Sequence, residues 1–159
     1  MRMTVAAVGR LKDDPERRLI DRYVRRMGLG KAIALGPLRE LELAESRLGT
    51  AAERRADEAG RLRSAVADAD VLVVLDGKGD NLSSEAFAHW LGDRRDSGAR
   101  HTSFLIGGPD GHGPAALAGA HLLLSLGPLT LPYGLARVVL IEQVYRALTI
   151  LTRHPYHRG

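Results

Sequence analysis

The chain of 159 residues contains no cysteine and very little lysine. Without cysteine, a disulfide framework, a metal site with cysteine ligands and thiol catalysis are all excluded. Arginine supplies all but three of the 23 basic residues, and the formal net charge of +4 is mild. Arginine is the better bidentate ligand for phosphate, although a biased genomic base composition would produce the same excess. The composition is that of an ordinary globular protein, and it leaves phosphate binding open.

The sequence also lacks a targeting segment and a usable membrane span. The apolar run Met3–Val8 is too short for a signal peptide. Residues 111–136 contain no charged side chain and are long enough to span a bilayer. However, Pro128 and Pro132 would break the helix that such a span requires. We therefore expect a buried, irregular stretch in a soluble, cytoplasmic protein.

Predicted strands and helices alternate along the chain. Strands are predicted at Met3–Val8, 38–44, Val71–Leu75, Thr102–Ile106 and Leu122–Leu124. Helices are predicted to begin at Asp14-Pro15, to span Thr50–Val66, to run from Ser83 or Ser84 to about Asp96, and to span Leu135–Thr152. We predict a polar loop at Lys78–Leu82, whereas Lys31–Pro37 fits either a loop insertion or an extra strand. The alternation predicts one α/β domain over residues 1–159 with a mostly parallel sheet; by pattern alone, it is an open doubly wound sheet.

Ligands of such sheets bind beyond the carboxyl ends of the strands, and three strand ends are unusual: Leu75–Gly77, Ile106–Gly108 and the loop Leu126–Leu131. Gly107–Pro114 holds four glycines, but it does not match G-x-G-x-x-G, and the chain has no Walker A or G-x-S-x-G sequence. This loop is either a tight turn or a close backbone approach to a ligand. Leu126–Leu131 carries no charge, so it fits either a core-crossing loop or a site for a flat heterocycle such as adenine.

Basic side chains cluster on the first helix and in the C-terminal tail. One face of the first helix carries Arg17, Arg18, Arg22, Arg25 and Arg26, which is typical of a solvated face or of a phosphate-facing stripe. The tail combines Arg153 and Arg158 with Tyr156, His154 and His157. Cationic and stacking groups of this kind contact single-stranded RNA, unless the terminus is simply solvated. No carboxylate cluster accompanies the two histidines, so we expect no metal site.

The last predicted helix is apolar almost all round, which favours packing against a second subunit.

Four blocks in order carry a resemblance to a known family: Leu105–Gly111, Leu129–Pro132, Arg137–Ala147 and His154–Arg158. Together they resemble the bacterial RlmH (YbeA-type) methyltransferases of the SPOUT superfamily, which methylate N3 of a pseudouridine in 23S rRNA. The resemblance covers essentially the whole chain. Two positions depart from the family pattern, since Tyr133 stands where histidine is common and Asp110 replaces a more usual glutamate.

The resemblance implies an α/β knot, in which the C-terminal part is threaded into a trefoil knot. It also implies a homodimer, S-adenosylmethionine as cofactor, and ribosomal RNA of the ribosome as partner. The cofactor-binding positions implied by the motifs are Leu75, Gly107, Leu126, Gly127, Pro128, Leu129, Thr130 and Leu131.

The expected roles of the remaining residues follow from the chemistry of an imide nitrogen. Arg137 is the candidate for stabilising the emerging anion, and His154 or His157 is the candidate base. Tyr156 is expected to stack on the target base. The expected RNA contacts are Arg22, Arg25, Arg153, Tyr156 and Arg158. Two alternatives stay open: a ribose methyltransferase of the same superfamily acting on tRNA, and a non-catalytic RNA- or ribosome-binding module.

Overall fold

The computed structural model describes residues 1–156, in which helices and strands alternate. The strands are β1 (Arg2–Val8), β2 (Leu38–Leu43), β3 (Val71–Asn81), β4 (His101–Ile106) and β5 (Leu122–Ser125). The α-helices are α1 (Pro15–Arg26), α2 (Ala51–Ala65), α3 (Ser84–Asp96), α4 (Pro114–Leu117) and α5 (Tyr133–Leu151), and a 3-10 helix spans Met27–Ile33.

The five strands form one sheet in the order β2-β1-β4-β3-β5, and every pairing among them is parallel. The carboxyl ends of all five strands therefore meet at one edge. This arrangement confirms the predicted α/β fold with a parallel sheet flanked by helices. The trefoil knot stays a prediction.

Side chains of β1 alternate between two apolar layers, as expected for a strand that is covered on both faces. Val5 and Ala7 belong to the layer formed with α1, α3 and α5, whereas Ala6 and Val8 face α2 and α4. Val73 and Val74 divide in the same way on β3. The continuous apolar run of β3 follows from this two-sided burial.

Side-chain caps confirm the predicted starts of α2 and α3, whereas the helix predicted from Leu135 begins two residues earlier, at Tyr133. Thr50 and Glu53 form a reciprocal capping box at α2, with the Thr50 hydroxyl accepting from Glu53 N at 3.2 Å. Ser83 caps α3 by accepting from Ala86 N at 3.1 Å. Pro15 occupies the first turn of α1 after Asp14, whose side chain makes no cap hydrogen bond to that helix.

The predicted polar loop at Lys78–Leu82 is wrong, because β3 continues to Asn81. Leu75 and Asp80 both pair with Leu124 of β5, so residues 76–79 loop out and the chain then rejoins the sheet. A side chain at Gly79 would place its Cβ 2.5 Å from the Leu123 carbonyl, so only glycine fits this return. Hydrogen bonding to a strand distant in sequence thus overrides the polar local composition.

Residues 31–37 form no extra strand, since the 3-10 helix occupies their first part. β2 has the predicted span, but its glutamates are the more enclosed side chains. Leu41 is 39% exposed, whereas Glu40 and Glu42 meet arginines of α1 and α5.

Helix α5 packs against both α1 and α3 of its own chain. Leu140, Ile141, Val144 and Leu148 are completely buried there. Its apolar sequence is therefore largely explained within one chain, and a second subunit is not needed to account for it.

Within residues 1–156, no helix has the length and apolar character needed to cross a bilayer.

Candidate functional site: a cleft at the carboxyl ends of β3, β4 and β5

A cleft of about 630 Å³ opens beyond the carboxyl ends of three adjacent strands. The segments that follow β3, β4 and β5 line it, together with the first turn of α5. All eight positions that the resemblance implied for the cofactor lie in this lining: Leu75, Gly107, Leu126, Gly127, Pro128, Leu129, Thr130 and Leu131. The structure thus brings together residues that are far apart in sequence, although their role in binding stays a prediction.

The segment Leu126–Leu131 forms an uncharged wall of the cleft. Gly127 has a φ of +114°, a conformation that favours glycine, and the Ser125 hydroxyl accepts from Gly127 N at 3.2 Å. Leu129 is 80% exposed, so its side chain is available to cover a ligand. Buried Ser125 therefore fixes the turn that begins this wall.

The glycine-rich segment after β4 forms the opposite wall. Gly111 N donates to Gly108 O at 2.9 Å, and a Cβ on Gly107 would lie 3.1 Å from the Gly111 carbonyl carbon. Asp110 anchors this turn to α2, because its Oδ2 accepts from Arg54 Nε at 2.6 Å. The same hydrogen bond holds the pKa of Asp110 below its usual value. An aspartate at this position is thus well accommodated.

His112 and Asp76 also line the cleft. Both lie in segments that the sequence marks as unusual, but neither side chain was predicted as a site residue. Both ring nitrogens of His112 are buried without a hydrogen-bond partner among the described residues. Burial lowers the pKa of His112 below 6.5, against the opposing charge of nearby Asp76. The imidazole is therefore neutral near pH 7. The available signal was a polar residue inside a run of glycines.

Arg137 follows Ala136, which lines the cleft, but does not line it itself and has no exposed surface. Its guanidinium pairs with Glu42 Oε1 and donates to Gly9 O at 2.8 Å. Arg17 pairs with the same Glu42 oxygen, and Leu11 N donates to it at 3.2 Å. Burial tends to raise the pKa of Glu42, but these donors together lower it. The catalytic role of Arg137 stays a prediction, and its burial favours an indirect role through the groups it holds.

Tyr133, one of the two departures from the family pattern, joins this network to the cleft. Its ring lines the cleft and packs on Gly9, where an added Cβ would lie 3.0 Å from the ring. The Arg137 guanidinium carbon is 6.0 Å from the ring centroid. Position 9 requires glycine for two reasons: its φ of +95° disfavours any other residue, and a side chain there would press against the Tyr133 ring.

The tail turns back along α5, and the structure describes it as far as Tyr156. The Tyr156 ring centroid lies 4.9 Å from that of Tyr145, and its hydroxyl donates to Glu142 Oε1 at 3.1 Å. Burial and hydrogen bonding with Tyr23 raise its pKa, so the hydroxyl stays protonated. His154 is exposed, and its Nδ1 accepts from Tyr156 N at 3.2 Å. His157 and Arg158, two of the predicted site residues, lie outside the described residues.

The predicted RNA contacts differ in their exposure. Arg22 and Arg25 on α1, and Arg153 after α5, are exposed. Arg17 does not join them, because it is paired with Glu40 and Glu42. Tyr156 is engaged with α5, as described above. In residues 1–156, no group of three or more histidine, cysteine or carboxylate side chains is placed to hold a metal ion.

Comparisons with known proteins agree with this architecture. A family model described as "Predicted SPOUT methyltransferase" matches residues 1–157. The chain belongs to the SPOUT methyltransferase family. It is 50% identical, over the full length of both chains, to "Ribosomal RNA large subunit methyltransferase H" of Rhizobium meliloti (strain 1021). A Brucella anthropi protein of the same name is 48% identical, again with full coverage of both chains.

The fold is also similar to a solved structure of low sequence identity. That structure is a probable methylase family protein from Haemophilus influenzae Rd KW20, with a TM-score of 0.50 and 12% identity. The match covers 99% of this chain and 70% of that one. At this identity the similarity concerns the fold alone.

SPOUT methyltransferases use S-adenosylmethionine, and the cleft fits such a molecule. Its volume lies within the range of small-molecule sites, roughly 300–1,000 Å³. The wall Leu126–Leu131 offers backbone groups to the edge of an adenine and apolar side chains to its faces. On the opposite wall, the ring nitrogens of His112 are buried and line the cleft, so this imidazole is a candidate for contact with the cofactor.

Proposed function

We propose that this SPOUT methyltransferase methylates N3 of a pseudouridine in 23S rRNA, acting in the cytoplasm on the assembled ribosome. The observation that carries the proposal is a cleft in which all eight implied cofactor residues meet. The full-length relatives named ribosomal RNA large subunit methyltransferase H support the choice of RNA.

The bound cofactor supplies an electrophilic methyl group. An imide N3–H is a poor nucleophile, so the chain must orient N3 towards that methyl group and remove the imide proton. Orientation is expected to contribute most to the rate, because in-line geometry converts an encounter into an intramolecular reaction. The rigid walls, fixed by Ser125 and by the Asp110–Arg54 pair, are the elements that supply it.

The tail supplies the candidate bases. Since Nδ1 of His154 accepts from Tyr156 N, a neutral His154 carries its proton on Nε2 and its free lone pair is engaged. This arrangement favours His157 as the base. We expect base catalysis to contribute about 100-fold or more.

Arg137 is proposed as a positioning residue. It has no exposed surface for a substrate, but it holds Gly9 O and the first turns of α5 together. Tyr133, which lines the cleft, packs on that same glycine.

We further propose a homodimer. Leu129 and Leu135 are exposed by 80% and 42%, and both lie close to the cleft. Exposed apolar side chains beside a binding site are typical of an interface. Sedimentation equilibrium should give twice the mass of 17.2 kDa; a monomer at micromolar concentration contradicts this part of the proposal.

The substrate is tested by transfer of tritiated methyl groups to ribosomes, free large subunits and tRNA, followed by mass analysis of the nucleosides. We expect N3-methylpseudouridine from ribosomes. Methyl groups found only on a ribose oxygen of tRNA would overturn the assignment. Cofactor binding without transfer to any of the three RNAs would favour a binding module.

Removal of residues 154–159 tests the tail. The truncated chain is expected to keep its cofactor affinity and to lose at least 100-fold in turnover, because it lacks both candidate bases. His157→Asn alone should reproduce most of that loss if it is the base. Tyr156→Phe keeps the ring packing and serves as the matched control. Wild-type turnover by the truncated chain would exclude the tail from catalysis.

A further inference from the structure

We propose that Arg10 and Lys12, on the loop between β1 and α1 (residues 9–14), bind RNA backbone phosphates that flank the target nucleotide. This inference rests on the proposed function and adds a substrate-binding element to the same site. Neither residue belongs to the four sequence blocks that carried the family resemblance.

The loop between β1 and α1 lies beside the cleft. Gly9 packs on the ring of Tyr133, and Tyr133 lines the cleft. Arg10 follows directly, so its Cα is about 3.8 Å from that of Gly9. The Leu11 side chain reaches Gly134 in the first turn of α5. The loop thus borders the cleft where a large substrate would approach.

Hydrogen bonds hold the backbone of this loop in place. Gly9 N donates to Leu43 O at 2.9 Å, and Gly9 O accepts from Arg137 at 2.8 Å. Leu11 N donates to Glu42 at 3.2 Å, and Lys12 N donates to Asp14 Oδ2 at 3.3 Å. Four backbone atoms of Gly9, Leu11 and Lys12 are thus held by hydrogen bonds, so the loop loses little conformational entropy when its side chains bind a ligand.

Charges in the network below the loop balance. The half-buried Arg17 and the buried Arg137 are matched by Glu40 and Glu42, so this network adds no net charge.

Three acids lie on or beside the loop. Asp13 pairs with Arg18 at 3.8 Å, whereas Asp14 accepts a hydrogen bond from Lys12 N and keeps its negative charge. Glu16 lies further along, on α1 next to Gly134.

Across the cleft, Asp110 pairs with Arg54, whereas Asp76 accepts a backbone hydrogen bond from Lys78 N at 2.8 Å and keeps its charge. In contrast, Arg10 and Lys12 are exposed and form no ion pair within residues 1–156. Cations without partners on a fixed loop beside the cleft match the spaced anions of an RNA backbone, which carry position but no sequence information.

The test is the double variant Arg10→Gln/Lys12→Gln, with Arg100→Gln as control. Arg100 is an exposed arginine just before β4, at the amino end of the sheet and therefore opposite the cleft. Binding to purified ribosomes is measured from 50 to 300 mM salt by filter retention. For the double variant we expect a log–log salt slope that is shallower by about 1.4, at about 0.7 per lost phosphate contact. The control variant should keep the wild-type slope.

Kinetics should show a rise of about tenfold or more in KM for ribosomes, with kcat and the cofactor dissociation constant unchanged. A slope equal to that of the wild type, or an equal change in the control variant, would overturn the proposal. If the wild-type chain methylates no ribosomal RNA, the proposed function fails, while the salt slope still reports whether this loop binds RNA.

Discussion

Two histidines at opposite ends of β4 have contrasting surroundings. His101 begins β4, and its Nε2 lies 2.8 Å from Thr4 Oγ1 while its Nδ1 lies 3.3 Å from the Asp68 carbonyl. His112 lies just beyond the carboxyl end of β4, and neither of its ring nitrogens has a partner among the described residues. Both imidazoles are largely enclosed, so the difference is one of hydrogen bonding and not of burial.

The contrast extends to the two edges of the sheet. At the amino edge, Asp70 accepts from Arg100 N and His101 N, and Ser103 completes the contacts of His101. Near the carboxyl edge, Glu58 Oε2 and Arg137 Nε are buried without partners, as is His112. Buried polar groups are usually satisfied, so unpartnered atoms are informative where they line the cleft, as those of His112 do. The other unpartnered atoms, which include those of Arg61 and Arg94, do not line it.

The largest expected effect on stability tests this comparison by removing one carboxylate near each edge of the sheet. Glu42→Gln leaves the buried Arg137 without its main counter-charge, so we expect a loss of about 3 kcal/mol in the free energy of unfolding. Asp68→Asn at the amino edge removes a carboxylate that is 65% exposed, and should cost less than about 1 kcal/mol. Urea denaturation measures both. Equal losses in the free energy of unfolding would contradict the view that the carboxylate near the carboxyl edge stabilises the chain more than the one near the amino edge.

A second prediction concerns the close packing of the carboxyl edge. Gly79→Ala forces a Cβ against the backbone of Leu123, so we expect a loss of about 2 kcal/mol in stability together with weaker cofactor binding. Gly60→Ala is the control, because Gly60 lies in α2 with no atom within 4 Å of an added Cβ. It should stabilise the chain by about 0.5–1 kcal/mol, through better helix propensity. Unfolding and calorimetric titration of both variants provide the measurement, and an unchanged Gly79→Ala variant would contradict the register of β3 and β5.

The smallest effect is a pH dependence. The folded-state pKa of His112 is below 6.5, so between the two values the unfolded chain binds more protons. His112 therefore makes the free energy of unfolding rise with pH, with a slope of at most about 1.4 kcal/mol per pH unit. Its contribution is fully favourable above 6.5 and is lost as the pH falls below that value.

Denaturation between pH 5 and 8 should give a shallower slope for His112→Leu than for the wild-type chain. His89→Leu is the matched control, since His89 is exposed on α3. A slope that does not change in the His112 variant would contradict the burial of this imidazole.

Local pattern predicted much of the fold, because most elements carry their own signals. Apolar runs located four of the five strands, and the alternation of leucine with glutamate located β2. Thr50 and Ser83 marked helix starts by their capping chemistry. The eight cofactor positions were implied by the family resemblance and not by local pattern, and the structure assembles them in one cleft.

The remaining features depend on partners that are distant in sequence. Asp80 rejoins the sheet only because Leu124 is available to pair with it, and Glu42 turns inward only because Arg137 meets it there. Tyr156 resembled an exposed stacking residue, but Glu142 and Tyr145 lie within its reach once the tail turns back. No local window contains these pairs, so periodicity could not reveal them.

The excursion of β3 has a consequence for how this enzyme can vary. Residues 76–79 leave the sheet and return to it at the same residue, Leu124, so the excursion is a closed detour in an otherwise continuous ladder. Since Leu124 pairs with β3 on both sides of the excursion, we expect changes of length at residues 76–78 to reshape the mouth of the cleft without shifting the register. Gly79 must stay, because it packs on Leu123. For engineering or natural divergence, this detour is the place where substrate access can be altered independently of the fold.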